Sequence, residues 1–142
     1  MLSWFRSSCL KSLSLLLMAC FSLLSPTTTA AASPKYELYV FYSKYCQHCK
    51  SWLQTTGSTY GDVAPIKLGK KSPKLYKYDL SERNNMKFYR DLLSQGKLSS
   101  PVDAVPAFII VDENQVEVAR TIGAMQEEDF YKFVEGSINT RS

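Results

Sequence analysis

The chain has 142 residues, with 17 Lys and Arg against 13 Asp and Glu and a formal net charge of +4. That is one domain's worth of material, and with no internal repeat or low-complexity block it excludes a repeat array or a second domain. The lysines at 67, 70, 71, 74 and 77 come without an arginine–aromatic pattern, so they read as a solvated basic face and no nucleic-acid partner is expected.

In chain order, the first 32 residues do not look like folded domain. Arg6 and Lys11 give a positive start, no acid occurs before Glu37, and residues 13–24 are an apolar run. A bilayer span takes about 20 apolar residues, so this run is short for one. It is followed by Ser25-Pro26, threonines and Ala30-Ala31-Ala32, small residues of the kind a signal peptidase reads. The expectation is a signal peptide over residues 1–32, cleaved after Ala32, and a domain over residues 33–142. The rival readings are a retained membrane anchor, or lipidation at Cys20, where Leu17-Met18-Ala19-Cys20 is lipobox-like with an unusual Met18. Export is common to the cleaved and lipidated readings, and a membrane enters only if the leader is retained or Cys20 carries lipid. Taking away Arg6 and Lys11 leaves 17 − 2 = 15 basic against 13 acidic residues, a net charge of +2.

"YELYVFY" (36–42) is aromatic and β-branched and reads as a buried first strand. Residues 47–56 read as a helix stopped by Gly57, and residues 57–73, with three glycines and two prolines, as mostly loop. "KLYKYDL" (74–80) alternates Leu75, Lys77 and Asp79 against Tyr76, Tyr78 and Leu80, as a strand does. Ser81 or Asn84 can cap a helix carrying Met86, Phe88, Tyr89, Leu92 and Leu93 and ending at Gly96. Residues 99–106 read as a loop, 107–111 as a short strand, 112–114 as a turn and 116–123 as the hairpin partner. A helix over 127–137, with Phe130, Phe133 and Val134 on one face, closes the chain. The order β-α-β-α-β-β-α is an α/β pattern with a late antiparallel hairpin.

Once the leader is removed, Cys9 and Cys20 go with it, and "YSKYCQHCKSW" (42–52) holds the remaining cysteines, Cys46 and Cys49, and the only histidine, His48. A pair two residues apart closes almost no loop, so a structural staple would stabilise little. Haem attachment of the c type needs His directly after the second cysteine, and position 50 is Lys. Structural zinc wants four ligands, and this stretch offers three at most. Copper(I) accepts two thiolates, so a metal carrier stays open. The remaining chemistry is thiol–disulfide exchange. The spacing puts Cys46 at a strand-to-helix turn and Cys49 one turn into the helix. The free N–H groups of a helix start favour an anionic sulfur, so Cys46 is the expected nucleophile and Cys49 the resolving thiol.

A distant feature agrees. "AVPAFIIV" (104–111) places Pro106 at the start of a strand. With the strand–CxxC–helix early and the proline–strand–hairpin–helix late, residues 36–135 resemble the thioredoxin-fold proteins. The resemblance implies a thioredoxin-like α/β fold, a mixed sheet flanked by helices, and thiol–disulfide oxidoreductase activity. It also implies that Pro106 is cis and faces the cysteine pair, with Val105 presenting its backbone to partners.

More closely, the short strand before CxxC, the basic loop before "YDL" and "VPAFIIVDENQVEVARTIG" resemble the small periplasmic thioredoxin-like proteins of bacterial sulfur-oxidation operons. That resemblance implies a periplasmic monomer acting on cysteine-containing exported proteins, with a separate redox partner and no cofactor or metal. The compact start also resembles glutaredoxins, but Ile122-Gly123-Ala124 stands where a double glycine would clamp glutathione.

Thioredoxin has Gly-Pro between its cysteines and a buried acid six residues before the first; here stand Gln47-His48 and Val40. His48 resembles the histidine of the strongly oxidising DsbA-type enzymes, which implies a more oxidising couple. The expected site is therefore Cys46, Cys49 and His48 with Val105 and Pro106. The alternatives are a docking module without turnover and a copper or other metal carrier.

Overall fold

The computed structural model describes residues 36–140. The leader, Cys9, Cys20 and the cleavage site expected after Ala32 lie outside them. The elements are β1 (Glu37–Tyr42), α1 (Gln47–Gln54), α2 (Thr56–Leu68), β2 (Lys74–Asp79), α3 (Arg83–Ser94), β3 (Ala107–Val111), β4 (Glu117–Ile122) and α4 (Glu127–Asn139), with a single 3-10 turn at Gly69–Lys71 before β2.

One four-stranded sheet runs in the order β2-β1-β3-β4. β1 pairs parallel with β2 and antiparallel with β3, and β3 pairs antiparallel with β4. β1 and β3 are central, which is why their sequences are nearly all apolar: residues 38–41 and 107–111 are buried. The period-two alternation of these strands sorts two cores. Leu38, Val40, Phe108 and Ile110 face Trp52 of α1, Tyr60 of α2 and Phe130 and Val134 of α4. Tyr39, Phe41 and Ile109 face Tyr89 and Leu92 of α3. The alternation read in 74–80 holds as well, with Leu75 packing on the first side and Tyr76, Tyr78 and Leu80 on the second.

The largest departure from the sequence reading is the segment 57–73, expected as loop. It is mostly helix: α2 spans Thr56–Leu68, with Pro65 inside it. Nor does Gly57 stop α1. The helix ends at Gln54, the break falls at Thr55, and Gly57 belongs to the next helix. The reason is tertiary. A β-carbon on Gly57 would stand 2.6 Å from Trp52 Cζ3, so glycine is there to let the helix approach an indole ring, which packs edge-on against Phe108 and Phe130 at 4.9 and 5.4 Å. Tyr60 and Ala64, one turn apart, are buried, and Tyr60 Oη donates to Pro73 O at 2.8 Å. Packing of this kind offsets the low helix propensity of Gly57, Gly61 and Pro65.

Two smaller corrections concern α3 and α4. The residue before α3 is Glu82, which makes no side-chain cap, so neither Ser81 nor Asn84 plays that part. Tyr131 and Ile138 join Phe130 and Val134 in the buried face of α4, and Phe133 is only half-buried.

Candidate functional site

The register builds the site before any side chain is considered. Phe41 lies opposite Ala107, so the chain leaving β1 for Cys46 passes beside the residues that enter β3, Val105 and Pro106. The Val105–Pro106 peptide bond is cis. The segment 43–46 is a tight turn in which Cys46 N donates to Ser43 O at 3.0 Å and Tyr45 N to Ser43 Oγ at 3.2 Å.

Cys46 is itself the N-cap of α1. Its backbone is extended, its carbonyl accepts the first helical bond from Lys50 N at 3.1 Å, and its sulfur accepts from Cys49 N at 3.2 Å. A capping serine or aspartate would offer oxygen at this point, and here the acceptor is sulfur, which directs an orphan helix N–H at the reactive atom. The same thiol lies 3.7 Å from the Val105 carbonyl. Both cysteines are free thiols, Cys46 half-buried and Cys49 buried. Burial pushes the Cys49 thiol up to about 11, its hydrogen bond with Cys46 adds to this, and the backbone of Ser43 opposes it. The two sulfurs are therefore chemically unequal: one reachable at a helix start, the other held protonated behind it.

Of the residues expected from the sequence, the fold brings Cys46, Cys49, Val105 and Pro106 together. His48 is exposed and lines a cleft of about 670 Å³ on the α4 side of α1, with Ser51, Trp52, Thr55, Gln126 and Asp129. The two aromatics flanking the motif part company: Tyr45 is 78% exposed beside Cys46, and Trp52 is a core residue. The basic stretch divides among separate partners. Lys67 pairs with Glu127 at 3.2 Å, Lys74 lies over the Tyr76 ring and Lys77 donates to Gly57 O at 2.6 Å.

Two polar groups that support the site went unread in the sequence. Asp79, at the end of β2 and opposite Tyr42, accepts from Lys44 N at 3.3 Å and from Ser81 N and Oγ at 3.0 and 2.7 Å. It thereby ties the turn before Cys46 to the turn before α3. Burial alone would push its carboxyl up, but the hydrogen bonds from Ser81 and Lys44 hold it below the ordinary carboxylate range. The second group is Glu117 with Arg120 on β4, bonded to residues 99–101. Their reach is not marked locally, because Asp79 holds Lys44 N and the Glu117–Arg120 pair holds residues 99–101 across long stretches of chain.

Among the described residues there is no group of three or more His, Cys, Asp or Glu placed to hold a metal ion, and no helix is long and apolar enough to cross a membrane.

A β-α-β unit with a dithiol at its helix start, facing a cis-proline that opens an antiparallel hairpin, is the thioredoxin fold. Solved structures agree. The periplasmic thioredoxin SoxS from Paracoccus pantotrophus, in its reduced form, superposes with a TM-score of 0.56 at 18% identity over 75% of this chain and 99% of that one. A chain of the ferredoxin:thioredoxin reductase–thioredoxin f2 complex gives 0.52 at 22% identity, over 79% and 83%. A mutant thioredoxin from Halobacterium salinarum gives 0.50 at 17%, over 74% and 76%. No family model matches the sequence, and no curated protein matches it.

Proposed function

We propose that this chain is a thiol–disulfide oxidoreductase that exchanges the Cys46–Cys49 dithiol with disulfides of partner proteins. The observation that carries the reading is the asymmetry of the pair: Cys46 caps α1 beside the Val105 carbonyl, and Cys49 is buried one turn behind it. In the reducing direction the Cys46 thiolate attacks one sulfur of a partner disulfide. A mixed disulfide forms and the partner's other sulfur leaves as a thiolate. Cys49 then gives up its proton and attacks the Cys46 sulfur, closing the Cys46–Cys49 disulfide and releasing the partner's second thiolate. Two electrons and two protons pass from the chain to the partner, and the oxidising direction is the reverse.

Val105 and Pro106 form the docking edge, along which an extended partner segment lies beside Cys46. His48 acts on the potential of the couple through its charge or ring N–H at the helix start. The leader read over residues 1–32 supports export, with cysteine-containing exported proteins as partners and a separate protein to restore the dithiol. The description of SoxS as a periplasmic thioredoxin agrees with that compartment.

Trapping tests the reading. Cys49→Ser, expressed with its leader, is expected to accumulate covalent complexes that dithiothreitol releases, and Cys46→Ser to trap far fewer. Equal, weak trapping by both sinks the mechanism. Metal affinity lost equally by both variants would instead favour a carrier of copper or another metal, and a partner retained non-covalently by both would favour a docking module.

A further inference from the structure

We propose that Arg120 and Glu117 form a clamp on the cis-proline loop that sets the position of the Val105 docking edge. The chain's reaction with protein disulfides then depends on this pair, and its reaction with small disulfides does not. The proposal rests on the dithiol reading above.

Residues 99–105 lie within the connection from α3 to β3 and belong to neither a helix nor a strand, so their polar backbone must be held by something else. Ser99 N and Oγ donate to the Glu117 carboxylate at 2.9 and 2.8 Å. Arg120 donates through Nη2 to Ser100 O at 2.9 Å and through Nη1 to Ser100 Oγ at 3.1 Å and Pro101 O at 3.4 Å. Through Nε at 2.7 Å, and again through Nη2, it also holds both oxygens of Glu117. One residue further on, Val102 N donates to Tyr89 Oη at 2.7 Å. On the far side of the docking edge, Gly123 N donates to Pro106 O at 2.8 Å. β4 and the glycine that follows it therefore grip this loop on both sides of Val105, with the clamp before it and a backbone bond after it.

Three features make this more than a surface ion pair. The side chains are only 18% and 9% exposed, so the pair is little screened. The guanidinium contacts Glu117, Ser100 and Pro101 at once, which needs the planar fork of arginine and not the point charge of lysine. Finally, only Asp103 and Ala104 separate Val102 from Val105, whose carbonyl lies 3.7 Å from the Cys46 sulfur, so a displacement of the clamp carries to the docking edge beside the reactive atom. A small disulfide needs the sulfur alone. A protein disulfide must also lie along the edge.

The test compares Arg120→Lys with the wild-type chain in the reduction of insulin and of hydroxyethyl disulfide, each with dithiothreitol as reductant, together with the redox potential. The insulin rate constant is expected to fall by about tenfold or more, since an ångström of misplacement costs on the order of 100-fold. The hydroxyethyl disulfide rate and the potential should stay unchanged. Equal losses with both disulfides, or no loss with insulin in a folded variant, overturn the clamp. Should Arg120→Lys fail to fold, Glu117→Gln, which keeps the shape of the carboxylate, is put through the same comparison. The amide resonances of residues 102–105 must also move in either variant, and unmoved resonances overturn the positioning role by themselves. A wild-type chain that reduces neither disulfide overturns the dithiol reading, and this inference falls with it. A wild type that reduces both while Arg120→Lys matches it overturns this inference alone.

Discussion

At the scale of single residues, the two cysteines differ through surroundings that their spacing only outlines. Cys46 has helix N–H at its sulfur and Cys49 has the core around it. In the mixed disulfide the contribution of Cys46 to the raised Cys49 pKa is gone, but burial remains. The resolving thiol should therefore still titrate above the ordinary cysteine value of about 8.5. Release of a trapped partner is then expected to speed up steadily from pH 6 to 9, approaching tenfold per unit, as the Cys49 thiolate grows. Quenched-flow measurement of mixed-disulfide decay checks this, and a rate flat over that range would mean that the proton leaves by another route. His48 gives a second residue-scale expectation. It stands in the first turn of α1, where proline is tolerated, so His48→Pro is expected to keep the fold and make the couple more reducing. Potentials for this chemistry run from roughly −270 mV in thioredoxin to roughly −120 mV in DsbA, and a glutathione-equilibrium titration should place the wild type on the oxidising side of thioredoxin.

Among the elements, α2 tests the idea that packing overrides propensity. Its glycines and proline argue for loop, and its buried Tyr60 and Ala64 and the Gly57–Trp52 approach make it helix. Gly57→Ala would gain helix propensity of up to about 1 kcal/mol if the position were open. Here the added methyl meets the Trp52 ring at 2.6 and 2.9 Å, and overpacking costs typically about 1–3 kcal/mol. A net destabilisation is therefore expected in urea denaturation, and a stabilised variant would show that the helix gives way freely. Across the sheet, the hairpin β3–β4 was legible from "AFIIV" and "VEVARTIG" because both its pattern and its turn are local. Its polar load, Glu117 and Arg120, was not.

For the whole domain, the pH dependence of stability follows from three buried or half-buried groups. Asp79 and Glu117 have folded pKa values lowered below the unfolded range. In both, hydrogen bonds outweigh the burial that would raise them, those from Ser81 to Asp79 and from Arg120 and Ser99 to Glu117. Their contribution is present above the unfolded value of about 4 and is lost as pH falls through the folded values. Cys49 runs the other way. Its folded pKa is raised, so its contribution is present below about 8.5 and is lost as pH rises towards 11. The reduced protein is expected to be most stable from about pH 5 to 8 and to weaken on both sides. Denaturant titrations across pH check this, and Asp79→Asn should flatten the acid limb. An acid limb unchanged in that variant would assign it elsewhere.

The sequence alone determined the features whose physics is local. The CxxC spacing puts two thiols on one helical turn, alternation marks the strands, and a proline at a strand start marks the loop that faces them. Those features carried the resemblance to thioredoxin-fold proteins; the spacing itself pointed to Cys46 and Cys49, and the resemblance added Val105, Pro106 and the role of His48. Tertiary structure decided what depends on a neighbour distant in the chain. Packing of Gly57, Tyr60 and Ala64 against the core makes Thr56–Leu68 a helix, burial raises the Cys49 thiol pKa, and Asp79 holds the turn before Cys46 from an adjacent strand. Glu117 and Arg120 on β4 fasten a loop some twenty residues upstream. Each of these depends on burial and on a partner's position, and both are set only when the chain closes on itself.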